Sequence, residues 1–543
     1  MQSHHSIVEM FNEACEQYSA LDAFTCLGQT MTYSELDELS HQFAVYLQHH
    51  TTLAPGDRLA VQLPNTLQYP VVLFGALRAG VVIVNTNPLY TGTELQHQLK
   101  DSGAKALVVL ANVAKAAETI LDQTDIQQVI VTEVGDLHCF PKRQIINGIV
   151  KYIKKQVPKC RFPSSIHFLK ALALGNRDEF SPVDIGLSDV AFLQYTGGTT
   201  GVAKGAMLTH NNLLSNKTQV LNHWGNLLTH TGEVFAAPLP LYHIYGFTLH
   251  CMVLVAIGCH SVLVPNPRDL DSLLKVFKSS PLTGMVGLNT LFVALLNHPE
   301  FAALDFSKLR LTASGGMALV EDTATRWQKV TGTHILEGYG LTETSPVISA
   351  NTLDHFQLGT IGLPLPDTEC QTVDENGDVV ASGEAGELCV RGPQVMLGYW
   401  NKPEETATAI NADGWFKTGD IAIIQDDGFI RIVDRKKDMI IVSGFNVYPN
   451  EIEGVLLSHP EIIEAAVISI PDKDTGEAVK AFVVLAQGSS LDDQSIKAFC
   501  KKSLTPYKIP RNYEFRQELP KSAVGKILRR ELRPIPEVNA THP

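Results

Sequence analysis

The sequence predicts an α/β fold: a large N-terminal domain with mixed sheets, helices and a small β unit, then a small C-terminal domain. Three observations predict it. Short apolar or β-branched runs alternate with helix-like segments over most of the chain. From Asp367 to Val433 the text changes to short strands broken by Gly-containing turns. Near Asp434 the charge balance shifts, from a strongly acidic first part to 16 basic and 15 acidic residues in 434–543. A chain of 543 residues is also too long for one hydrophobic core.

The strand candidates are Val81–Val84, Ala106–Leu110, Val129–Val131, Val190–Gln194, Val262–Val264 and Met285–Val286. Helical spacing appears in Thr93–Asp101 and Leu270–Ser279 between them. That order favours largely parallel sheets. In 367–433 the turn signals Glu375-Asn376-Gly377-Asp378, Ser382-Gly383 and Asp426-Asp427-Gly428 favour a small antiparallel unit. The expected division is 1–433 and 434–543.

A hydrophobic fraction of 45% with 18% charged residues excludes a disordered chain and suits a folded, water-soluble one. A net charge of −14 makes a general nucleic-acid binder a poor reading. The nine cysteines form no CxxC pair and read as reduced thiols. His4 and His5 read as a solvated pair rather than metal ligands. The N-terminus lacks the basic and apolar regions of a secretory signal. The most apolar stretches, Pro70–Val84 and Phe247–Val264, contain Arg78 and two histidines, and neither supplies the ~18 uninterrupted apolar residues of a membrane span.

Four segments carry chemistry. Tyr195-Thr196-Gly197-Gly198-Thr199-Thr200-Gly201-Val-Ala-Lys204-Gly205 follows an apolar run. Glycines let backbone N–H groups approach phosphate oxygens, threonines donate, and Lys204 adds charge. It is not a Walker A loop, because Lys204 precedes Gly rather than Ser or Thr. In Glu337-Gly-Tyr339-Gly-Leu-Thr342-Glu343, the last carboxylate suits Mg²⁺, Thr342 suits a phosphate oxygen and Tyr339 offers a face for a base. An ordinary loop is the competing reading. In Gly414-Trp-Phe-Lys-Thr-Gly-Asp420, the aspartate can accept from two ribose hydroxyls, and Arg435 can donate to them. An exposed ion pair is the bland alternative for Arg435. Pro520-Lys-Ser-Ala-Val-Gly-Lys526 ends on a lysine that, in isolation, reads as one more surface charge.

Together and in this order, these motifs resemble the adenylate-forming acyl-CoA synthetases, which share an architecture with luciferases and nonribosomal peptide adenylation domains. The resemblance runs from about Ser6 to Arg533. The wording YTGGTTGVAKGAMLTH, PLYHIYG, EGYGLTE, GPQVMLGYW, DGWFKTGDIA, IVDRKKDMIIVSGFNVYPNEIE and LPKSAVGKILRRELR is most similar to bacterial long-chain fatty-acid–CoA ligases. Ala203 departs from the Pro common before the loop lysine, which alters stiffness rather than chemistry.

The resemblance implies ATP, Mg²⁺, coenzyme A and a long-chain fatty acid as ligands. It implies that 195–206 binds the ATP phosphates, that Thr342 and Glu343 hold the α-phosphate and Mg²⁺, and that Tyr339 packs on adenine. Gly315-Gly316 would line the same pocket, Asp420 and Arg435 would hold the ribose, and Lys526 would bridge the acyl carboxylate and α-phosphate. The C-terminal part would be a small mobile α+β domain turning about Lys437, with Ser443-Gly444-Phe445 lining a coenzyme A tunnel afterwards. His243 would lie beside the acyl site, a packed core histidine being the alternative. Transfer to a carrier-protein pantetheine, a shorter or aryl acid, and a dead synthetase serving as a nucleotide-binding scaffold are the rival functions. The expected setting is the cytoplasm, peripheral on the inner membrane. The oligomeric state is open, a homodimer being one option. The residues add one membrane signal of their own. Pro141–Arg161 has seven basic residues and no acidic one, with Ile146, Ile149, Val150, Ile153 and Val157 expected on one helical stripe. A surface helix docked on the large domain is the alternative.

Overall fold

The computed structural model describes residues 4–196, 203–228, 231–266, 268–473, 475–522 and 525–533. Four sheets organise them. The first has parallel strands at Arg58–Gln62, Val82–Asn85, Ala106–Leu110, Gln128–Thr132, Ser165–His167 and Val190–Thr196, with Lys204–Thr209 antiparallel to the last. Ala106–Leu110 is buried throughout, as a parallel strand covered on both faces must be. The crossover helix Gly92–Ser102 matches the expected Thr93–Asp101. It opens on a capping box from Thr91 and Glu94 and stops at Gly103, in the left-handed region.

A nine-stranded sheet takes in Val234–Ala237, His260–Leu263, Gly284–Gly287, Leu311–Ser314 and Ile335–Gly340 as parallel neighbours. Antiparallel strands Val347–Ala350 and Leu363–Pro364 finish one edge. The helix Leu270–Ser279 falls on the expected residues. The third sheet is a four-stranded antiparallel unit of Glu369–Val373, Ala385–Arg391, Phe416–Ile424 and Ile430–Arg435. Asp434 and Arg435 therefore sit inside this sheet rather than beyond it. The fourth is built from Ile440–Val442, Phe445–Val447, Ile462–Asp472, Gly476–Leu485 and Asn512–Phe515, with its own core around Ile452, Val467, Val483 and Ile496. Along the chain, the turn 436–439 connects the third sheet to the fourth.

Both strongly apolar stretches are interior. The helix Gln68–Arg78 is buried along its whole length. The Arg78 guanidinium bonds Asp37, Ser40 and Asn12 and lies over the Phe11 ring, which compensates a charge held out of water. Among the described residues no helix is long and apolar enough to cross a membrane. The basic segment forms a helix at Lys142–Gly148 that continues to Ile153, with no buried residue. It is shorter than the sequence suggests: Lys155 has φ 51°, outside helical space, so Val157 leaves the stripe. Phe140, Ile145, Ile149, Tyr152 and Ile153 are all exposed.

Candidate active site

The described ends of the glycine-rich segment lie on antiparallel strands. Thr196 pairs with Lys204, and Tyr195 with Gly205. Gly197, Gly198, Thr199, Thr200 and Gly201 lie outside the described residues. The Tyr195 hydroxyl donates to Asp101 at 2.6 Å, and its ring occupies the space a side chain at residue 205 would need. Lys204 lies 5.0 Å over the ring of Tyr399. The Tyr399 hydroxyl donates to Glu343 Oε1 at 2.8 Å. The loop lysine and the expected metal carboxylate are thus joined through a residue that the motif reading did not assign.

Glu343 follows Thr342 in a short 3₁₀ turn and is buried. Burial pushes its carboxyl pKa up, and the Tyr399 hydrogen bond opposes the shift. One carboxylate oxygen set of this kind, completed by phosphate oxygens, fits the hard, oxygen-preferring Mg²⁺. On the neighbouring strand, Tyr339 donates to Asp420 Oδ2 at 2.5 Å. Asp420 pairs in register with Arg435, whose Nε is 3.6 Å from Asp420 Oδ1. The two expected ribose ligands therefore face each other across adjacent strands of the third sheet, beside the tyrosine from the second.

Gly315 and Gly316 leave the strand Leu311–Ser314 under this pocket. A Cβ at 315 would lie 3.1 Å from the Tyr245 ring, and Gly316 has φ 80°, so the backbone there needs glycine. Glu337 fixes the stretch that follows. It is buried and accepts from Leu319 N at 3.0 Å, and burial pushes its pKa to about 8. His243 caps the short helix Ile244–Phe247 through Nδ1, which accepts from Tyr245 N at 3.3 Å. Its segment is held by Asn65, which donates to Ala237 O and Leu239 O and accepts from Leu241 N. Neither Asn65 nor Glu337 was assigned from sequence. Glu337 was quoted within its motif, but Asn65 left no local signal.

Lys526 belongs to the fourth sheet's unit and lies near enough to Arg435 and Asp420 for their charges to act on it. Its turn is closed by Ser522 N donating to Lys526 O at 2.7 Å and Lys526 N donating to Ser522 Oγ at 3.1 Å. The tip docks on the large part of the chain: a Cβ at Gly525 would lie 3.2 Å from Thr290 Oγ1. Burial lowers the Lys526 pKa to about 7, with Arg435 adding to the shift and Asp420 opposing it. Burial likewise lowers His243 to about 4, and the Lys526 charge adds to it. Among the described residues Lys526 forms no ion pair, and an ammonium beside an imidazole and the Arg435 guanidinium suits an anionic ligand.

The remaining expected residues lie around the connection. Lys437 is exposed in the 436–439 turn, and partial desolvation together with Arg435 lowers its pKa to about 8. Ser443, Gly444 and Phe445 form an exposed hairpin tip, with Phe445 stacked on Tyr507 at 4.9 Å.

Comparison with known proteins gives a consistent result. The model of the AMP-binding enzyme family matches residues 11–400, and that of the AMP-binding enzyme C-terminal domain matches residues 451–526. A long-chain-fatty-acid–CoA ligase of Salmonella typhimurium is 52% identical over 531 residues, covering 98% of this chain and 94% of that protein. One of Escherichia coli O157:H7 is 51% identical over the same length and coverage. Among solved structures, ATP-bound MatB from Rhodopseudomonas palustris superposes with a TM-score of 0.83 at 29% identity, covering 97% of this chain and 98% of that one.

Proposed function

This chain belongs to the AMP-binding enzyme family, and we propose that it is a long-chain fatty-acid–CoA ligase that works through an acyl-adenylate. The observation that supports the reading is that Gly525, next to Lys526, packs against Thr290 of the large part of the chain, with the Lys526 charge felt at His243 and in turn influenced by Asp420 and Arg435. A fatty-acid carboxylate oxygen attacks the α-phosphorus of ATP, the bond to diphosphate breaks, and acyl-adenylate forms. Charge builds on the phosphorus oxygens and the departing diphosphate while the anionic carboxylate approaches an anionic triphosphate, and a cation at Lys526 would bridge the two anions and stabilise that charge. Binding these anions returns the Lys526 pKa upward, because opposite charge favours the ammonium form. Tyr339 packs on the base, Asp420 and Arg435 hold the ribose, and Thr342 with the 195–206 loop holds phosphate oxygens. Glu343, oriented by Tyr399, would hold Mg²⁺, which supplies charge neutralisation on the phosphates.

In the second half-reaction the coenzyme A thiol, losing its proton, attacks the acyl carbonyl and AMP leaves. The large domain, expected over 1–433, runs on to Arg435 at the end of the third sheet, and the small one follows the turn 436–439 and rotates about Lys437. The turn withdraws Lys526 and brings Ser443, Gly444 and Phe445 to the coenzyme. One pocket can then serve two reactions, and water is kept from the adenylate.

Diphosphate release measured across fatty acids of increasing length, with and without coenzyme A, tests the reading. Palmitate is expected to exceed acetate and benzoate in kcat/KM, and the reverse order would remove the long-chain part. Transfer to a carrier protein without coenzyme A would favour the pantetheine alternative. The reading includes peripheral contact with an anionic membrane, supported by the exposed basic helix and its uncovered Phe140, Tyr152 and Ile153. Replacing Lys151, Lys154 and Lys155 by Glu is expected to reduce co-sedimentation with anionic vesicles. Unchanged co-sedimentation would reject that contact.

A further inference from the structure

Asp434 lies on the last strand of the third sheet, three residues before Lys437, and its carboxylate is fully buried. Its partners come from both sides of the connection. On its own side, Oδ1 accepts from Arg435 N at 2.7 Å. Across the connection, Oδ2 accepts from Asn450 N at 2.6 Å, in the first turn of the helix Pro449–Leu457. That helix has no side-chain cap of its own, so Asp434 supplies one from another sheet. Oδ1 also receives Arg529 Nη1 at 3.4 Å.

Arg529 belongs to the arm that carries Lys526, three residues upstream. It is gripped by Glu453 at 2.7 and 3.0 Å, by Asn450 Oδ1 at 2.5 Å and by Asp438 at 3.1 Å. The arm is closed on itself by Leu528 N donating to Pro520 O at 2.8 Å. A movement of Arg529 therefore moves Lys526. The contacts of Asp434 across the connection, to Asn450 and Arg529, stand beside one from Asn450 Nδ2 to Val433 O at 3.5 Å, and a rotation about Lys437 that separates the two sides breaks them.

We propose that Asp434 is a positioning residue for the adenylation half-reaction: its carboxylate latches the small unit in the orientation that places Lys526 in the pocket. The inference rests on the two-orientation reading above. Breaking the latch leaves the pocket's own groups intact but lowers the fraction of time that Lys526 is engaged. Its signature is a fall in adenylation kcat without a rise in KM for ATP. A merely structural role, acting through the neighbouring Arg435, predicts the opposite split, because Arg435 faces the ribose position.

The test uses the full chain with Asp434→Ala, Asp434→Asn and Lys526→Ala. Diphosphate release is measured separately from thioester formation on supplied acyl-adenylate. Asp434→Ala is expected to lower the kcat of diphosphate release about tenfold or more, with KM for ATP unchanged and thioester formation equal or faster. Asp434→Asn keeps an oxygen for Asn450 N but loses the attraction to Arg529, so it should fall in between. If Asp434→Ala fails to fold, the Asn variant decides, together with acetic anhydride labelling of Lys526 followed by mass spectrometry. Labelling should be several-fold faster once the latch is weakened. Unchanged labelling, a raised KM for ATP, or equal loss of both half-reactions in the Asp434 variants would overturn the latch. Equal loss of both in Lys526→Ala would instead overturn the two-orientation reading beneath it.

Discussion

The pocket floor and the hinge both take carboxylates out of water, and they compensate them differently. In the floor, Glu343 and Asp420 each receive a tyrosine hydroxyl, from Tyr399 and Tyr339. At the hinge, Asp434 receives two backbone N–H groups and the guanidinium of Arg529. A neutral hydroxyl orients a carboxylate without cancelling its charge, so Glu343 keeps negative charge for a metal ion, while Asp420 also faces the Arg435 guanidinium at 3.6 Å. A guanidinium cancels it, so the hinge spends its charge on holding two units together. The same residue type thus serves ligand binding in one region and orientation in the other, and the partner decides which.

The largest expected effect breaks the link between the two regions. Lys526→Ala should cost on the order of 10²–10³ in the rate of acyl-adenylate formation while largely sparing thioester formation from supplied adenylate. Diphosphate release and thiol consumption measure the two steps separately, and equal loss of both with the fold intact would contradict the comparison. Lys437→Pro should do the reverse, with thioester formation falling by roughly 10–10² and adenylation kept, because proline fixes φ where the chain must turn. Loss of adenylation alone in that variant would place the pivot elsewhere.

Within the floor, Tyr399→Phe removes the hydroxyl that orients Glu343. The Mg²⁺ concentration giving half-maximal diphosphate release should rise about tenfold, the usual cost of losing an outer-shell partner of a ligating carboxylate. A Mg²⁺ titration indifferent to this change would mean that Glu343 does not hold the ion. The smallest effect concerns Glu337, whose folded pKa of about 8 stands above the ordinary carboxyl value of 4.5. A carboxyl raised in the folded state contributes stability below its unfolded pKa and loses it as pH rises towards the folded one. Glu337→Gln, which mimics the protonated form, should therefore gain Tm relative to the parent chain between pH 5 and pH 8, by a few degrees at most. A Tm difference that stays constant with pH would show Glu337 to be ionised or solvated.

Much of this molecule was legible locally. The alternating runs gave the parallel strands at Ala106–Leu110 and Val190–Thr196, because a strand buried on both faces writes itself as a continuous apolar word. The Thr91–Glu94 box and Gly103 marked one helix at both ends. The basic helix was read too long because hydrophobic spacing continues to Val157 while the backbone turns at Lys155. Asn65 and Tyr399 escaped because each acts on residues far away in sequence: Asn65 on 237–241 and Tyr399 on Glu343 and Lys204. Asp434 and Arg529 sit inside quoted motifs, but their pairing across 95 residues is written nowhere in the local text.

The sequence by itself determined the chemistry available here: a glycine-rich loop with one lysine, carboxylates at Glu343 and Asp420, and a lysine near the C-terminus. Those are covalent facts, and their spacing in each motif survives any fold. Only the tertiary structure decided which charges meet. Lys526 reads as an ordinary surface lysine until the 520–528 turn docks beside Thr290, and burial then lowers its pKa to about 7. Desolvation and charge pairing depend on distance in space, and in this protein the decisive distances cross from one sheet to another.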